Sequence, residues 1–300
     1  MWQRFSSDTE VLIQGMTGKE GMRMATWLLG SGVRVVAGVT PGKGGQLVEN
    51  RPIFNSVAEA KTAFPNIQVT SIVVPPMRVL GAVEDALLAG LRFVHVLTEN
   101  IPVHDVLAMR QKAQEVGVHI LGPSSVGYLN FPKFRIGYIG GEDPFRVLKE
   151  GSLAVISNSG GMTNELLMGL SRRGIGVRFA CAVGGDRVVG TSLRDAISHA
   201  EDSKDVSSIV MFAEPGHPVL TALANGEFAV YKPLAILMPG DVLDTLPRGM
   251  PYGHTGTVLG EDDRSVPGLR AAICAKGYMC TGSLREMFEA CQRLSHPPLV

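Results

Sequence analysis

Val11-Leu12-Ile13-Gln14-Gly15-Met16-Thr17-Gly18-Lys19-Glu20-Gly21 is the stretch whose reading decides the fold. A short apolar run ends in a turn punctuated by glycines, and a helix-like segment follows through Leu29. Glycines at such a junction let backbone N–H groups approach a phosphate at the helix N-terminus, where the peptide dipoles also favour negative charge. The same glycines serve equally well in a tight strand-to-helix turn kept for packing, and the loop alone does not choose between the two.

Outward from this loop, β-rich runs at 33–39, 71–74, 93–97 and 118–121 alternate with segments of helical apolar spacing at 79–88 and 104–116. That alternation predicts a parallel sheet with crossover helices, a Rossmann-like first half. Periodicity fades over 130–151, where Pro132, Gly137, Gly140, Gly141 and Pro144 fall, and a new strand is expected at 153–156. The boundary is placed there, giving domains 1–148 and 149–300. Strands at 177–183, 208–212 and 234–238, with helices near 162–173, 192–199, 267–276 and 283–294, predict a second doubly wound domain. The fold class is α/β: an N-terminal Rossmann-like domain and a C-terminal domain of flavodoxin-like kind.

Lysine plus arginine equals aspartate plus glutamate at 28 each, so no overall field favours nucleic acid, and no basic run interleaves with aromatics. Cys181, Cys274, Cys280 and Cys291 contain no CxxC pair, which suits reduced thiols better than a disulfide frame or a zinc site. No metal site is expected. The start MWQRFSSDTE offers no apolar stretch for a signal peptide, and charged residues, proline or glycine interrupt every apolar run before ~18 residues. The expectation is a soluble protein without a membrane partner, cytoplasmic, or of the mitochondrial matrix if a presequence has been removed.

Among nucleotide ligands, NAD is disfavoured. The loop spacing is G-x-x-G-x-x-G, and the second strand runs into Thr40-Pro41-Gly42-Lys43-Gly44-Gly45 with no carboxylate for the adenosine ribose. Lys43 instead attracts a phosphate. A second candidate anion site follows the first strand of the second half, at Ser157-Asn158-Ser159-Gly160-Gly161-Met162-Thr163-Asn164-Glu165. Small residues opening a helix could present free N–H groups there; the plainer alternative is that Ser159 or Ser157 is simply an N-cap.

His254 stands in Met250-Pro251-Tyr252-Gly253-His254-Thr255-Gly256. Neutral imidazole is a competent nucleophile toward phosphoryl groups, and a carboxylate at its second nitrogen would fix the tautomer and stabilise the adduct. Glu214, beyond the 208–212 strand, is the candidate for that carboxylate. The alternative is an exposed, idle loop histidine. His217 lies close to Glu214; the other histidines have no such setting.

MTGKEG, GVTPGKGG, PIFNSVAEA, VVPP, LTENIP, LGPSSVG, NSGGMTNE, VGGDR and GHTG, in this order over nearly the entire chain, resemble the alpha subunit of succinyl-CoA synthetase. The resemblance implies a first domain that binds coenzyme A and a second that carries a phosphorylated histidine. Carried over, it implies that Thr17, Gly18, Lys19, Gly21 and Lys43 hold the coenzyme phosphates, with Pro75, Thr98 and Glu99 near its other parts. His254 is then the phosphohistidine, Glu214 its orienting carboxylate, and the helix opening at Ser159, Gly160 and Gly161 stabilises the phosphoryl group. ATP or GTP with Mg2+ is implied on a beta-type ATP-grasp partner subunit, and a small di- or tricarboxylic acid is the implied substrate. GGMTNE and GGDR look more like ATP-citrate lyase and citryl-CoA synthetase, which points to citrate as the alternative acid. Ser124, the AEPGH segment and Asn158, where an arginine is common, depart from the pattern. They leave open a non-catalytic coenzyme-binding paralogue.

Overall fold

Every residue of strand β1 (Val11–Gln14) is buried, and because successive side chains point to opposite faces, both faces of the sheet are covered at this strand. That is why Val11-Leu12-Ile13 reads as an unbroken apolar run, with the buried polar Gln14 closing the strand. The computed structural model describes residues 5–250, 258–260 and 263–295. The chain falls into two units: one runs to Arg146 and includes 182–184 and 188–191, and the other comprises 147–181, 185–187 and the chain from Ser192 onward.

In the first unit β1 pairs in parallel with β2 (Val35–Val39) on one side and with β5 (Val69–Ile72) on the other. The full order is β3 (Leu47–Val48), β4 (Arg51–Phe54), β2, β1, β5, β6 (Phe93–Val96), β7 (His119–Leu121). Within this sheet only the β3–β4 pair is antiparallel. Helices α1 (Lys19–Gly30), α2 (Val57–Ala63), α3 (Val79–Leu88) and α4 (Val103–Glu115) connect the parallel strands. A core that includes Leu12, Val36, Ile72, Val83, Val94 and Met109 unites sheet and helices. Burial of each such side chain stabilises the fold by about 1.5–3 kcal/mol.

His95, wholly buried in β6, is a polar pin within this unit. Its Nε2 lies 2.9 Å from the Ser125 carbonyl and its Nδ1 2.8 Å from Ser71 Oγ. A carbonyl only accepts, so Nε2 carries the proton and Nδ1 accepts from the serine hydroxyl. Burial holds the ring neutral, with its pKa pushed down to about 4.

The segment where sequence periodicity fades holds a hairpin of β8 (Gly127–Asn130) and β9 (Phe134–Gly137). Both strands are buried throughout, so no polar and apolar alternation marks them. Phe134 and Phe93 pack on Phe5 with ring centroids 5.1 and 5.6 Å away. Arg135 in β9 is buried, and its guanidinium donates to the carbonyls of Trp27 at 2.7 Å, Glu142 at 3.0 Å, Ile139 at 3.3 Å and Gly141. Trp27 lies near the C-terminal end of α1, where the carbonyls carry the negative end of the dipole; its carbonyl also accepts from Ser31 N–H at 3.1 Å. Burial lowers the Arg135 pKa to about 10, opposed by Asp143 and Glu142, so the side chain stays charged at neutral pH.

The second unit holds parallel strands in the order β14 (Met279–Thr281), β13 (Leu234–Leu237), β12 (Ser208–Phe212), β10 (Glu150–Ser157), β11 (Val177–Ala182). Read from the other edge, this is the 2-1-3-4-5 order of flavodoxin-like domains. After the short α5 (Pro144–Val147), its helices are α6 (Gly160–Arg172), α7 (Leu193–Asp202), α8 (Pro218–Asn225), α9 (Val266–Cys274) and α10 (Leu284–Ser295). α6 and α10 approach closely at Gly169: a Cβ there would lie 1.9 Å from the Phe288 ring. Arg173, one turn on, covers that ring at 4.1 Å from its centroid.

Candidate functional site

Strand order in the first unit reverses between β1 and β5, and ligand crevices of doubly wound sheets open at the C-terminal ends of the strands at such a point. Gln14, the last residue of β1, lies in register with Val39 and with Ile72. The chain then turns at Gly15, whose φ of +86° is left-handed and whose Cβ, if present, would sit 2.8 Å from the Val73 carbonyl. Gly21 faces back into the turn, where a Cβ would come within 2.2 Å of the Gly15 carbonyl. These two glycines serve packing.

Gly18 differs. It is exposed, it opens α1 as N-cap without a side-chain cap, and a Cβ there would come no closer than 3.3 Å to the Gly15 carbonyl. The first-turn N–H groups therefore have no side-chain acceptor from the cap residue, and the dipole end is open to an anion.

Thr17 and Gly18 line a crevice of about 770 Å³ between the ends of β1, β2 and β5 and the flank of α3. Val39, Thr40 and Pro41 form one wall, and Val73, Val74 and Pro75 another. Arg78, Ala82 and Leu88 lie on the helix side. Gln14 anchors that side by donating from Nε2 to the Ala82 carbonyl at 3.0 Å.

Thr17 Oγ1 donates to Thr40 Oγ1 at 3.2 Å, whose own proton goes to the Val39 carbonyl. This joins the glycine loop to the loop bearing Lys43. Asn55 shapes the second loop from within: its Oδ1 accepts from Gly42 N–H at 2.9 Å and Gly44 N–H at 3.0 Å. Lys43 is held exposed between those two amides.

Of the residues expected from the sequence, Thr17, Gly18 and Pro75 line the crevice together, whereas Lys19, Gly21, Lys43, Thr98 and Glu99 do not. Thr98 reaches the wall indirectly, donating from Oγ1 to the Val74 carbonyl at 2.8 Å. Glu99 and Lys19 are exposed. Asn55, Thr40 and Arg78 are the residues that sequence reasoning passes over. Their only signals are position: Asn55 directly before the Ser56 N-cap, and Arg78 two residues beyond the Pro75-Pro76 pair.

In the second unit the order reverses between β10 and β12, whose last residues Ser157 and Phe212 are in register. The N-cap reading holds for Ser159, whose Oγ accepts from Met162 N–H at 3.4 Å. Ser157 Oγ accepts from Ser159 N–H and donates to its carbonyl, both at 2.9 Å, and Thr163 donates to that carbonyl at 2.6 Å. The helix entry is thus rigid. Gly161 is exposed, with open space where a Cβ would be.

Glu214 follows the end of β12 by two residues and is half-buried. His217, three residues on, is a helix cap: its Nδ1 accepts from Val219 N–H at 3.2 Å. Burial pushes its pKa down to about 4, against the pull of Glu214, so it is a neutral acceptor. Gly216 lies against the Val258 carbonyl, which a Cβ would meet at 2.7 Å, and Gly249 N–H donates to the Leu259 carbonyl at 2.8 Å. The described residues on either side of 251–257 are therefore paired with each other, beside the Glu214–Gly216 turn. His254 itself lies outside the described residues.

Two family models match the chain: one described as CoA binding domain over residues 6–100, and one described as succinyl-CoA ligase like flavodoxin domain over 150–294. The chain is 33% identical over 269 residues to the alpha 2 subunit of an ADP-forming succinate–CoA ligase from Archaeoglobus fulgidus, covering 88% of this chain and 91% of that one. It is also 33% identical over 275 residues to a subunit of an ADP-forming sulfoacetate–CoA ligase from Bilophila wadsworthia, covering 90% and 91%. In fold it resembles the ATP citrate lyase of Methanothrix soehngenii, solved in complex with citrate and coenzyme A, with a TM-score of 0.84 at 22% identity. That match covers 97% of this chain and 50% of the lyase chain, so this chain spans half the length of the lyase. Sequence and architecture agree over both units, and the chain belongs to the family of succinate–CoA ligase alpha subunits.

Proposed function

We propose that this chain is the coenzyme-binding and phosphoryl-carrying subunit of an acid–CoA ligase. The observation that carries the reading is the uncapped α1 N-terminus at Gly18, which opens on a crevice at the switch point of a domain matching the CoA-binding family. The donor set fits coenzyme A: amides and a dipole for its pyrophosphate, an apolar wall for its base, and no carboxylate at the end of β2. When bound, the coenzyme supplies the thiol that ends as the thioester. Gly18 and Thr17 orient it, with Lys43 at the loop edge.

In the second unit, His254 accepts a phosphoryl group on one imidazole nitrogen while Glu214 holds the proton on the other and offsets the positive charge of the adduct. The amides at Gly160 and Gly161 then stabilise charge on the phosphoryl oxygens as the group passes to a substrate carboxylate oxygen, forming an acyl phosphate. Thiolate attack on that acyl carbon expels phosphate and leaves the thioester. A beta-type ATP-grasp subunit holds ATP or GTP with Mg2+ and recharges His254. The acid is a small di- or tricarboxylate, with citrate as the alternative to succinate. That two 33% identical relatives bear the names of different acids supports keeping the acid open.

A second reading, a coenzyme-binding paralogue without phosphoryl transfer, draws on Asn158. It is buried at the entry to α6, its Oδ1 lacks a hydrogen-bond partner among the described residues, and it stands where the resemblance calls for an arginine.

Co-expression with an ATP-grasp partner and assay of thioester formation from succinate, citrate and sulfoacetate tests the first reading. His254→Asn should lower turnover ~10³-fold or more while sparing coenzyme binding. Undiminished turnover would sink it.

A further inference from the structure

The charged residues lining the crevice are Arg78, Glu84 and Asp85, and both carboxylates are already engaged. Glu84 pairs with Lys112 at 3.4 Å. Asp85 Oδ2 accepts from Val57 N–H at 3.0 Å, at the start of α2. Arg78 is exposed, and among the described residues its guanidinium makes neither an ion pair nor a hydrogen bond. Its backbone is fixed, with its N–H donating to the Pro75 carbonyl at 2.8 Å in the 3-10 turn Pro76–Arg78. An uncommitted arginine on a fixed turn, in a crevice whose two carboxylates are engaged elsewhere, is arranged to receive an anion in bidentate fashion.

Arg78 and the α1 N-terminus stand on different walls. Gly18 follows β1, whereas Arg78 follows β5, four residues beyond Val74 and three beyond Pro75. Val74 is half-buried and Pro75 exposed, and these two apolar residues, directly before the turn that bears Arg78, offer a surface for a flat heteroaromatic base. On the coenzyme reading, on which this inference rests, the ligand has phosphate in two places: the pyrophosphate, and a separate group on the ribose next to the base. The open amides of α1 are suited to the first. An arginine among the apolar groups that receive the base is placed for the second.

We propose that Arg78 holds the 3′-phosphate of the coenzyme's adenosine, and so selects coenzyme A over nucleotides that lack that group. The test is calorimetric titration of the full chain, wild type and Arg78→Ala, with coenzyme A and with 3′-dephospho-coenzyme A. The wild type should prefer coenzyme A by about tenfold or more, as one charge-assisted contact would give. Arg78→Ala should lose that preference while binding the dephospho form with unchanged Kd, which also reports that the variant is folded. Arg78→Lys should keep part of the preference, and lose it as salt is raised. Equal weakening of both ligands in Arg78→Ala, or an intact preference, overturns the assignment. A wild-type chain that binds neither ligand overturns the coenzyme reading, and this assignment with it.

Discussion

Thr17 and Thr40 share a hydrogen bond of 3.2 Å between their hydroxyls, which ties the end of the first strand's turn to the end of the second strand. Thr40 gives its own proton to Val39, so the Thr17 proton is the one that holds the pair together. Thr17→Val keeps the volume and removes that donor. Coenzyme affinity should fall about five- to tenfold, the worth of roughly 1 kcal/mol for one hydrogen bond, with little change in the thermal midpoint. Titration with coenzyme A checks the first, and a melt the second.

Asn55 supports the Lys43 loop through two amides that have no other acceptor in that loop. Asn55→Ala should loosen residues 40–45 and raise the Kd for coenzyme A, at a cost in global stability of about 1–2 kcal/mol because both amides are near solvent. Amide hydrogen exchange should show faster exchange at Gly42 and Gly44 and unchanged protection in β1. Unchanged exchange at those two amides would contradict the assignment.

How far the sequence discloses this architecture depends on how each element is buried. β1, β6 and β12 read clearly because they are short, mainly apolar and β-branched or aromatic runs between turn signals, interrupted in β6 only by His95. α3 and α4 read clearly because only one face is buried. The β8–β9 hairpin is hidden because both its strands are fully buried and one carries Arg135, which looks like a surface residue until its four carbonyl partners are seen. β3 and β4 are short and contain Arg51 and Pro52, which sequence patterns place at strand edges or in turns. At the site, the glycine loop is legible as a loop. Which glycine is pressed against backbone and which is left open is set by the distance to the Gly15 and Val73 carbonyls, which no spacing rule encodes.

His95 makes stability depend on pH. Its native pKa of about 4 lies below the ordinary histidine value of 6.5, so the unfolded chain takes up a proton that the native state refuses. The stabilisation is complete above pH 6.5 and is lost between there and pH 4, at up to about 1.4 kcal/mol per pH unit. Half-buried His217 acts in the same direction. Urea unfolding at pH 7.5, 6 and 5 should show a shallower pH slope for His95→Gln than for the wild type, and equal slopes would contradict the buried neutral ring.

Gly169 faces the Phe288 ring so closely that a methyl group has no room. Gly169→Ala gains helix propensity but must push α10 away, and overpacking of this kind costs about 1–3 kcal/mol. The second unit should unfold earlier in denaturant while coenzyme binding by the first is retained. A variant as stable as the wild type would mean that α6 and α10 are not in this contact.

The most direct measurement is mass spectrometry, under alkaline conditions that preserve phosphohistidine, on the protein purified with its nucleotide-binding partner after incubation with nucleotide and Mg2+. The account predicts a phosphoryl group on His254 that disappears on adding coenzyme A together with one particular acid, which also names the substrate. His254 left unmodified under those conditions would contradict it.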